Sequence, residues 1–275
     1  MKHFAIGDGN KRITSPDRYR ADRESDETTV LWDPEYVDIP IRVSVLTIGP
    51  KDKGDDHMAF WRTIQEAREN NSELKIDGNK AIYTYRERSS EANEFLHFYE
   101  VGLGNHYCIF SITVSESDES SPSFAQVRTD LEDMIHSLVE RREDEQFSCS
   151  LLQCEFVRIN ESVSSLLPAG LDDSSWNALQ AQLDRAFDDR NEDLAGRIGL
   201  VFGEMMRREI PSFSWSIKID NSGSARALDL PDSRISIFPE DMILKRFDLN
   251  ERLDLRRFSS DTIDTLERMY REYQE

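Results

Sequence analysis

Hydrophobic and polar residues alternate with a period of two in the first half of the chain, which is typical of strands with one buried face. Residues 41–48 read Ile-Arg-Val-Ser-Val-Leu-Thr-Ile, with β-branched side chains at most positions. Segments 74–76 and 81–85 flank Asp77-Gly78, a dipeptide favoured in tight turns. Segments 93–101 and 106–114 flank Gly-Leu-Gly-Asn at 102–105. The pattern predicts a sheet that contains two β-hairpins.

Two segments of the first half have helical spacing instead. The apolar positions of residues 58–67 are Met58, Trp61, Ile64 and Ala67. A second helix begins at Ser121-Pro122, with Ser121 as the N-cap and Pro122 as the first helical residue. Its apolar stripe consists of Phe124, Val127, Leu131, Met134, Ile135 and Leu138. The order of elements predicts an antiparallel sheet with helices packed against it.

The second half is richer in helices. Ser174 is placed to cap a helix whose apolar positions are Trp176, Leu179, Leu183, Ala186 and Phe187. The next helix has Leu194, Ile198, Val201, Phe202 and Met205, and a C-terminal helix has Ile263, Leu266, Met269, Tyr270 and Tyr273. Between them, segments 213–219 and 225–228 flank Asn-Ser-Gly-Ser and predict a hairpin. A short strand at 235–238 ends before Pro239.

A charge run at residues 140–145, Glu-Arg-Arg-Glu-Asp-Glu, separates these two patterns and is interpreted as a linker. We therefore predict two α+β domains. Residues 1–145 form an antiparallel sheet with packed helices, and residues 146–275 form a smaller, helix-rich domain.

Charge narrows the possible partners. The 275 residues include 54 acids and 34 bases, for a net charge of −20. Nucleic acid and anionic membranes are therefore disfavoured partners, because both are bound through Lys and Arg. The sequence has no transmembrane-length apolar run, and we expect neither a secretory leader nor a disulfide framework among its three cysteines. We expect a cytoplasmic protein.

No catalytic or phosphate-binding motif is present in the sequence. His97, His106 and Cys108 lie on one predicted hairpin and are of the residue types that hold zinc, but their spacing favours ordinary strand residues. Cys149 and Cys154 are interpreted as buried small hydrophobes. We expect no metal, no cofactor and no catalytic residue.

Glu204 interrupts an apolar helical stretch and must be paired if it is buried. Arg207, Arg208 and Lys245 are candidate partners for a structural ion pair. A contact with a binding partner and a catalytic role are the alternatives. Gly196, Gly199 and Gly203 lie near one flank of the same helix, where they would allow close packing.

Three acidic clusters, at 52–56, 116–119 and 188–193, are typical of a solvated surface, but together they create a field that attracts basic proteins. Trp32 and Tyr36 flank a turn at Asp33-Pro34 that can expose one of them. The candidate partner-binding residues are Asp118, Glu119, Asp188, Asp189, Glu192, Asp193, Trp32 and Tyr36.

Two segments resemble known families. Residues 1–145, through "VLWDPEYVDIPIRVSV", the central helix and "VRTDLEDMIHSLV", resemble the PsbP-like fold family, which implies a binding or assembly module. Residues 165–260, through "GLVFGEMMRREIPSFSWSIKID" and "PEDMILKRF", resemble a bacterial domain family of unknown function found beside polymorphic toxins, which implies an immunity role.

Three functional hypotheses follow. The first is a non-enzymatic bacterial immunity protein that neutralises a cognate basic toxin, for example a nuclease, through acidic loops and an aromatic anchor. The second is a chaperone or assembly adaptor that binds an apolar helix of a secreted effector. The third is an enzyme of unrecognised type. The partner in the first two is expected to be encoded by the adjacent gene.

Overall fold

The structure is a computed structural model, which describes residues 1–48, 57–90, 92–142, 145–168, 170–172, 174–231 and 233–274. The acidic cluster at 52–56 lies outside these residues, and so do residues 143 and 144 of the charge run. The chain divides into two compact units. The first comprises residues 1–153 with 219–221, and the second comprises residues 154–218 with 222–275. The predicted domain boundary at 145/146 stays a prediction.

The first unit contains most of the strands. Its elements are β1 (Lys2–Ile6), β2 (Lys11–Ser15), β3 (Arg20–Arg23), β4 (Thr28–Trp32), β5 (Ile41–Thr47), α1 (Met58–Glu69), β6 (Leu74–Asp77), β7 (Lys80–Arg88), β8 (Glu94–Leu103), β9 (His106–Ser115), α2 (Pro122–Ser137), β10 (Val139–Glu140) and β11 (Phe147–Ser150). Strands β3-β4-β5-β9-β8-β7-β6 form one antiparallel sheet in that order. Strands β1-β2-β10 form a second antiparallel sheet.

The register of the large sheet separates its two faces. Val43 lies opposite Phe110, which lies opposite Tyr99, so alternate residues of these strands share one face. That face, β1, β2 and α2 enclose the core of the first unit. The predicted stripe of α2 is buried in full, and the Ser121 hydroxyl accepts a hydrogen bond from the Phe124 amide at 3.1 Å, as expected for the N-cap.

Helix α1 packs on the other face of the sheet, and the lack of a side chain at Gly102 determines which residues of the helix face strand β8. A Cβ at residue 102 would lie 2.4 Å from the Ala59 carbonyl oxygen and 2.4 Å from Thr63 Oγ1. The helix therefore turns its small residues toward β8, and Trp61 is left 61% exposed. The predicted apolar stripe was wrong for Trp61 and for Met58, which is 37% exposed.

The second unit is helix-rich, as predicted. Its elements are α3 (Gln153–Leu166), α4 (Ser175–Asp189), α5 (Glu192–Glu209), β12 (Ser214–Asp220), β13 (Gly223–Asp229), β14 (Ser236–Ile237), α6 (Pro239–Asp248) and α7 (Leu255–Gln274). Strands β12, β13 and β14 are neighbours in that order. The fold class is thus α+β with antiparallel sheets, as predicted. Among the described residues, none of the helices combines the length and apolarity needed to span a bilayer.

The glycines of α5 allow close packing, as the sequence indicates. A Cβ at Gly199 would lie 2.6 Å from the Glu240 Cα at the start of α6, and one at Gly203 would lie 2.5 Å from the Trp215 ring. The backbone of α5 therefore lies against the backbone of α6 at Gly199 and against the Trp215 side chain of β12 at Gly203. Gly196 differs, because a Cβ there would meet Glu240 Oε1 at an ordinary 3.5 Å.

Three local predictions need correction. Ser174 does not cap α4 with its side chain; instead Asp172 Oδ1 accepts hydrogen bonds from the amides of Ser174 and Ser175. The turn between β8 and β9 is Gly104-Asn105 alone, with residues 102 and 103 in the strand. The charge run begins inside β10, where Glu140 pairs with Lys11 of β2, so its first residue is not a linker.

We predict opposite effects for two alanine substitutions in α5. Both Gly196→Ala and Gly199→Ala gain about 1 kcal/mol from helix propensity. At residue 199 the new Cβ collides with backbone that cannot move aside, which costs about 1–3 kcal/mol. Urea unfolding should therefore show Gly199→Ala less stable than Gly196→Ala. Equal free energies of unfolding for the two variants would contradict the packing described above.

Candidate functional site

The predicted acidic residues of the second unit surround the α4–α5 junction. Asp188 forms an ion pair with Arg252, and Asp189 lies 3.3 Å from Arg185, so both carboxylates are partly neutralised. Glu192 and Asp193 occupy the exposed first turn of α5, after the N-cap Asn191. Within the described chain no ion pair includes either of them. Of these four carboxylates, Glu192 and Asp193 are therefore the two that no described ion pair neutralises.

The predicted residues of the first unit do not form one cluster. Asp118 is exposed after β9 and accepts a hydrogen bond from Ser115 Oγ at 2.6 Å. Glu119 lies 2.7 Å from Arg86 and 3.0 Å from His97, so it is engaged within the unit. Trp32 is half-buried at the end of β4, and Tyr36 packs against the core. Whether these residues bind a partner stays a prediction.

The three possible zinc ligands lie apart. In the β8–β9 hairpin His97 is opposite Ile112, whereas Cys108 is opposite Val101, four positions along the strand. Four positions correspond to about 13 Å. His97 and His106 also contact different carboxylates, Glu119 and Glu140. The described part of the chain contains no group of three or more side chains arranged to hold a metal ion.

Glu204 forms the ion pair that the sequence suggests. Its carboxylate lies 2.9 Å from Arg207 and accepts a hydrogen bond from Trp215 Nε1 at 2.5 Å. The side chain is only 11% exposed, and Gly203 lets the indole approach the helix. The ion pair lies within α5, whereas the hydrogen bond from Trp215 connects α5 to β12. The glutamate thus has the ion-pair partner that its burial requires.

The most unusual polar cluster, which no sequence motif indicated, lies under α1. This Tyr–Glu cluster consists of Glu66 on α1, Tyr83 and Tyr85 on β7, Glu100 on β8, and Tyr107 on β9. Glu100 accepts hydrogen bonds from Tyr83 and Tyr85, both at 2.7 Å, and from Tyr107. The Tyr107 hydroxyl also contacts Glu66. Cross-strand register brings these side chains onto one face of the sheet.

The Tyr–Glu cluster forms part of the wall of an open cavity of about 640 Å³. The polar and charged residues of its lining are Thr47, Arg62, Glu66, Glu100 and Tyr107, and the apolar ones are Leu46, Ile48 and Ile109. Arg62 lies 2.7 Å from Glu66 and is 58% exposed at the mouth. The volume is that of a site for a small group or a side chain.

Burial and hydrogen bonding change the acidities in this cluster. Burial, followed by the neighbouring carboxylates, raises the pKa of Tyr107 well above its ordinary value, and Tyr83 and Tyr85 change in the same direction. Burial alone would raise the pKa of Glu66, but the hydrogen bond from Tyr107 and the ion pair with Arg62 outweigh burial and lower it. The tyrosines are therefore hydrogen-bond donors and Glu66 is ionised at neutral pH.

Two further cavities carry different chemistry. One of about 390 Å³ lies beside α2 in the first unit and has mixed charges, among them Lys75, Arg128 and Glu132. Another of about 380 Å³ lies between β14 and α7 in the second unit and is mostly apolar, with Ile237, Leu266 and Met269 in its lining. The lysine and arginines of the first cavity are already engaged: Lys75 with His136, Arg86 with Glu119, and Arg128 with Glu132.

The cysteines differ in environment. Cys149 is buried, as predicted, and so is Cys108, but Cys154 is exposed, so its interpretation as a buried small hydrophobe was wrong. Burial raises the pKa of the Cys108 thiol to about 12. A thiol of that kind stays protonated and does not react as a nucleophile at neutral pH.

We predict that Ellman's reagent titrates one thiol per chain in the native protein and three in guanidinium. The fast thiol should be Cys154, so Cys154→Ser should abolish the native reaction and leave two thiols after unfolding. A native Cys154→Ser protein that still reacts rapidly would show that Cys108 or Cys149 is accessible.

The comparisons with known proteins bear on the fold of the chain but do not assign it a function. The family described as "Domain of unknown function (DUF3806)" matches residues 175–258, from the start of α4 into α7. This match confirms the resemblance of the C-terminal half to a domain family of unknown function. It covers less than half of the chain and shows no association with toxins. No curated protein matches the chain.

Two solved structures are similar. A crystal structure of a protein from Bacteroides thetaiotaomicron VPI-5482 has a TM-score of 0.72 at 16% identity, covering 96% of this chain and 98% of that chain. At this identity the likeness shows the fold alone. The solution structure of cyanobacterial PsbP (CyanoP) from Synechocystis sp. PCC 6803 has a TM-score of 0.34 at 14% identity and covers 50% of this chain and 91% of that chain. A TM-score of that size carries no argument.

Proposed function

We propose that this chain is a non-enzymatic bacterial immunity protein, which binds and neutralises a basic toxin. The observation that carries the proposal is the uncompensated acidic first turn of α5, in a chain with a net charge of −20. A toxin that binds phosphates, such as a nuclease, is basic, and an acidic surface is its electrostatic complement.

The α4–α5 junction offers two kinds of carboxylate for this role. Asp188 and Asp189 already have arginine partners, so a toxin would have to compete with Arg252 and Arg185 for them. Glu192 and Asp193 need no such exchange. Their position at a helix N-terminus also stabilises α5 through the helix dipole, and the experiment must separate this effect from binding.

In the proposed mechanism the acidic surface attracts the toxin, and contacts at short range hold it. At physiological ionic strength the screening length is about 8 Å, so distant charges act mainly on the association rate. The side chains that remain in contact decide the dissociation rate. Neutralisation then consists of covering the toxin's substrate-binding surface, with no chemical step in the immunity protein.

The cavity between β14 and α7 favours a second candidate function. Its mostly apolar lining and its volume of about 380 Å³ suit an adaptor that holds an apolar segment of a secreted effector. Met269, which is 45% exposed, lines the cavity. Binding that is insensitive to salt but lost in Met269→Glu would support the adaptor over the immunity protein.

We predict unequal effects for two pairs of neutral substitutions. Glu192→Gln with Asp193→Asn removes uncompensated charge, so association with the adjacent gene's product should slow several-fold at low salt. Asp188→Asn with Asp189→Asn changes the net charge by the same amount, but a toxin could bind these carboxylates only by displacing Arg252 and Arg185, so the dissociation rate should rise less than it does for the first pair. Binding kinetics over a salt series provide the measurement.

The control removes two charges elsewhere in the same unit. Glu267→Gln with Glu272→Gln changes exposed carboxylates on the second half of α7 and gives the same net charge. Unfolding curves of all variants show whether the loss of acids at the start of α5 only destabilises the helix. The immunity proposal fails if the wild type does not bind the basic partner, or if the control slows association as much as the change at 192 and 193.

A further inference from the structure

The Tyr–Glu cluster has more negative charge than its own cations balance. Glu66 has Arg62 as its ion-pair partner. Glu100 is only 7% exposed, and its hydrogen-bond partners are the hydroxyls of Tyr83, Tyr85 and Tyr107. No ion pair to Glu100 occurs among the described residues. A carboxylate taken out of water without a cation is costly, even when it is hydrogen-bonded.

A count of the protons in the cluster leads to the same conclusion. Tyr107 has one hydroxyl proton but contacts two carboxylates, Glu66 and Glu100. The hydroxyl can donate to only one of them at a time. While both carboxylates are ionised, the other contact places two oxygens together with no hydrogen between them. A group that brings positive charge and several N–H donors would satisfy both carboxylates at once.

The cavity beside this cluster has the shape and lining for such a group. Glu66, Glu100 and Tyr107 all contribute to its wall, and Leu46, Ile48 and Ile109 contribute apolar surface. An apolar wall beside a carboxylate suits the side chains of Lys and Arg, whose methylene stems bury while the charged end bonds. Its volume of about 640 Å³ exceeds what a single ion needs.

Arg62 is a cation of the chain itself that already lies in this cavity. Its guanidinium lies 2.7 Å from Glu66 and 6.0 Å from the centre of the Tyr107 ring, in the range of a cation–π contact. The side chain is more than half exposed, so it can move out of the mouth. Arg62 is thus a competitor within the chain for the same carboxylates.

We propose that this cavity is a binding site for a cationic nitrogen group, an ammonium or a guanidinium, with Glu100 and Glu66 as its acceptors and Tyr107 positioning both. The site lies in the first unit and does not involve the α4–α5 junction. It is tested with small molecules, so the result does not depend on the identity of any toxin.

The test titrates the full chain with four probes and follows binding by calorimetry. The blocked amino acids N-acetyl-arginine methylamide and N-acetyl-lysine methylamide represent protein side chains, and cadaverine represents a free amine. N-acetyl-leucine methylamide is the neutral control. We expect saturable binding of the cations and none of the leucine derivative. Tighter binding of the blocked amino acids assigns the site to a protein partner, and tighter binding of cadaverine assigns it to a free amine.

The variants separate the site from general electrostatics. Glu100→Gln keeps the shape of the side chain and should weaken cation binding by about tenfold or more, because a buried charge-assisted contact is lost. Arg62→Ala should instead tighten binding, because the competitor is gone. Glu116→Gln removes one exposed carboxylate of the same unit, paired with Arg88, and should change nothing.

Folding is checked for every variant by thermal unfolding, and Glu66→Gln provides a second test if Glu100→Gln does not fold. The proposal is overturned if the wild type binds no cation saturably, if Glu100→Gln or Glu66→Gln binds as tightly as the wild type, or if Arg62→Ala binds more weakly. The proposed immunity function would survive each of these results, since its own test uses the acids of α5.

Discussion

Helix α1 lies directly against strand β8 because residue 102 has no Cβ, and the arrangement of the first unit's open face depends on that contact. With the Ala59 carbonyl oxygen 2.4 Å from the position of a Cβ, any other residue would push the helix away. At this short separation Glu66 reaches Tyr107, and Arg62 reaches the cavity mouth. The same principle acts in the second unit, where Gly199 and Gly203 bring α5 against α6 and Trp215. In both units a close backbone contact, not a charged motif, positions the polar side chains.

The acids of this chain fall into two physical classes. Those at the surface, such as Asp188 and Glu192, are hydrated, and their individual contributions to stability are small. Glu100, Glu66 and Glu204 are mostly screened from water, and each has its own set of donors. The net charge of −20 describes the first class well. It says little about the second class, in which geometry decides what the carboxylate can bind.

The spacing of apolar residues and the turn and cap residues predicted correctly those elements that depend on residues close together in the sequence. The stripe of α2, its Ser121 cap and the hairpin at Asp77-Gly78 are as expected, because these features depend on residues close in sequence. Helix α1 was placed correctly along the chain, but the face it buries was not, since large residues usually face the core. Here Gly102, some forty residues away, selects Ala59 and Thr63 instead.

The Tyr–Glu cluster shows why the candidate site could not be predicted in the same way. Tyr83 and Tyr85 alternate along β7, and Glu100 interrupts an apolar stretch of β8, so each strand contains a signal. Only the register, with Tyr83 opposite Glu100, turns these signals into a site. The acidic clusters that the sequence does display are the ones nearest to solvent. The sequence alone therefore shows where acidic residues are frequent, but it does not show which of them are buried next to one another.

The buried tyrosines have a consequence for the alkaline limit of the fold. Among the described side chains, five tyrosines have a raised pKa, chiefly because of burial, and these five lie in the first unit: Tyr19, Tyr83, Tyr85, Tyr99 and Tyr107. In the unfolded chain each ionises near pH 10, whereas the folded unit keeps the proton; for Tyr99 the pKa rises to about 12. Above pH 10 the unfolded state therefore binds fewer protons, and the free energy of unfolding falls as pH rises. Lys11, whose pKa burial lowers, acts in the opposite direction but is a single group. The protonated tyrosines thus stabilise the first unit. Strong base removes their protons, so we expect unfolding in alkali to begin at the sheet that carries most of them.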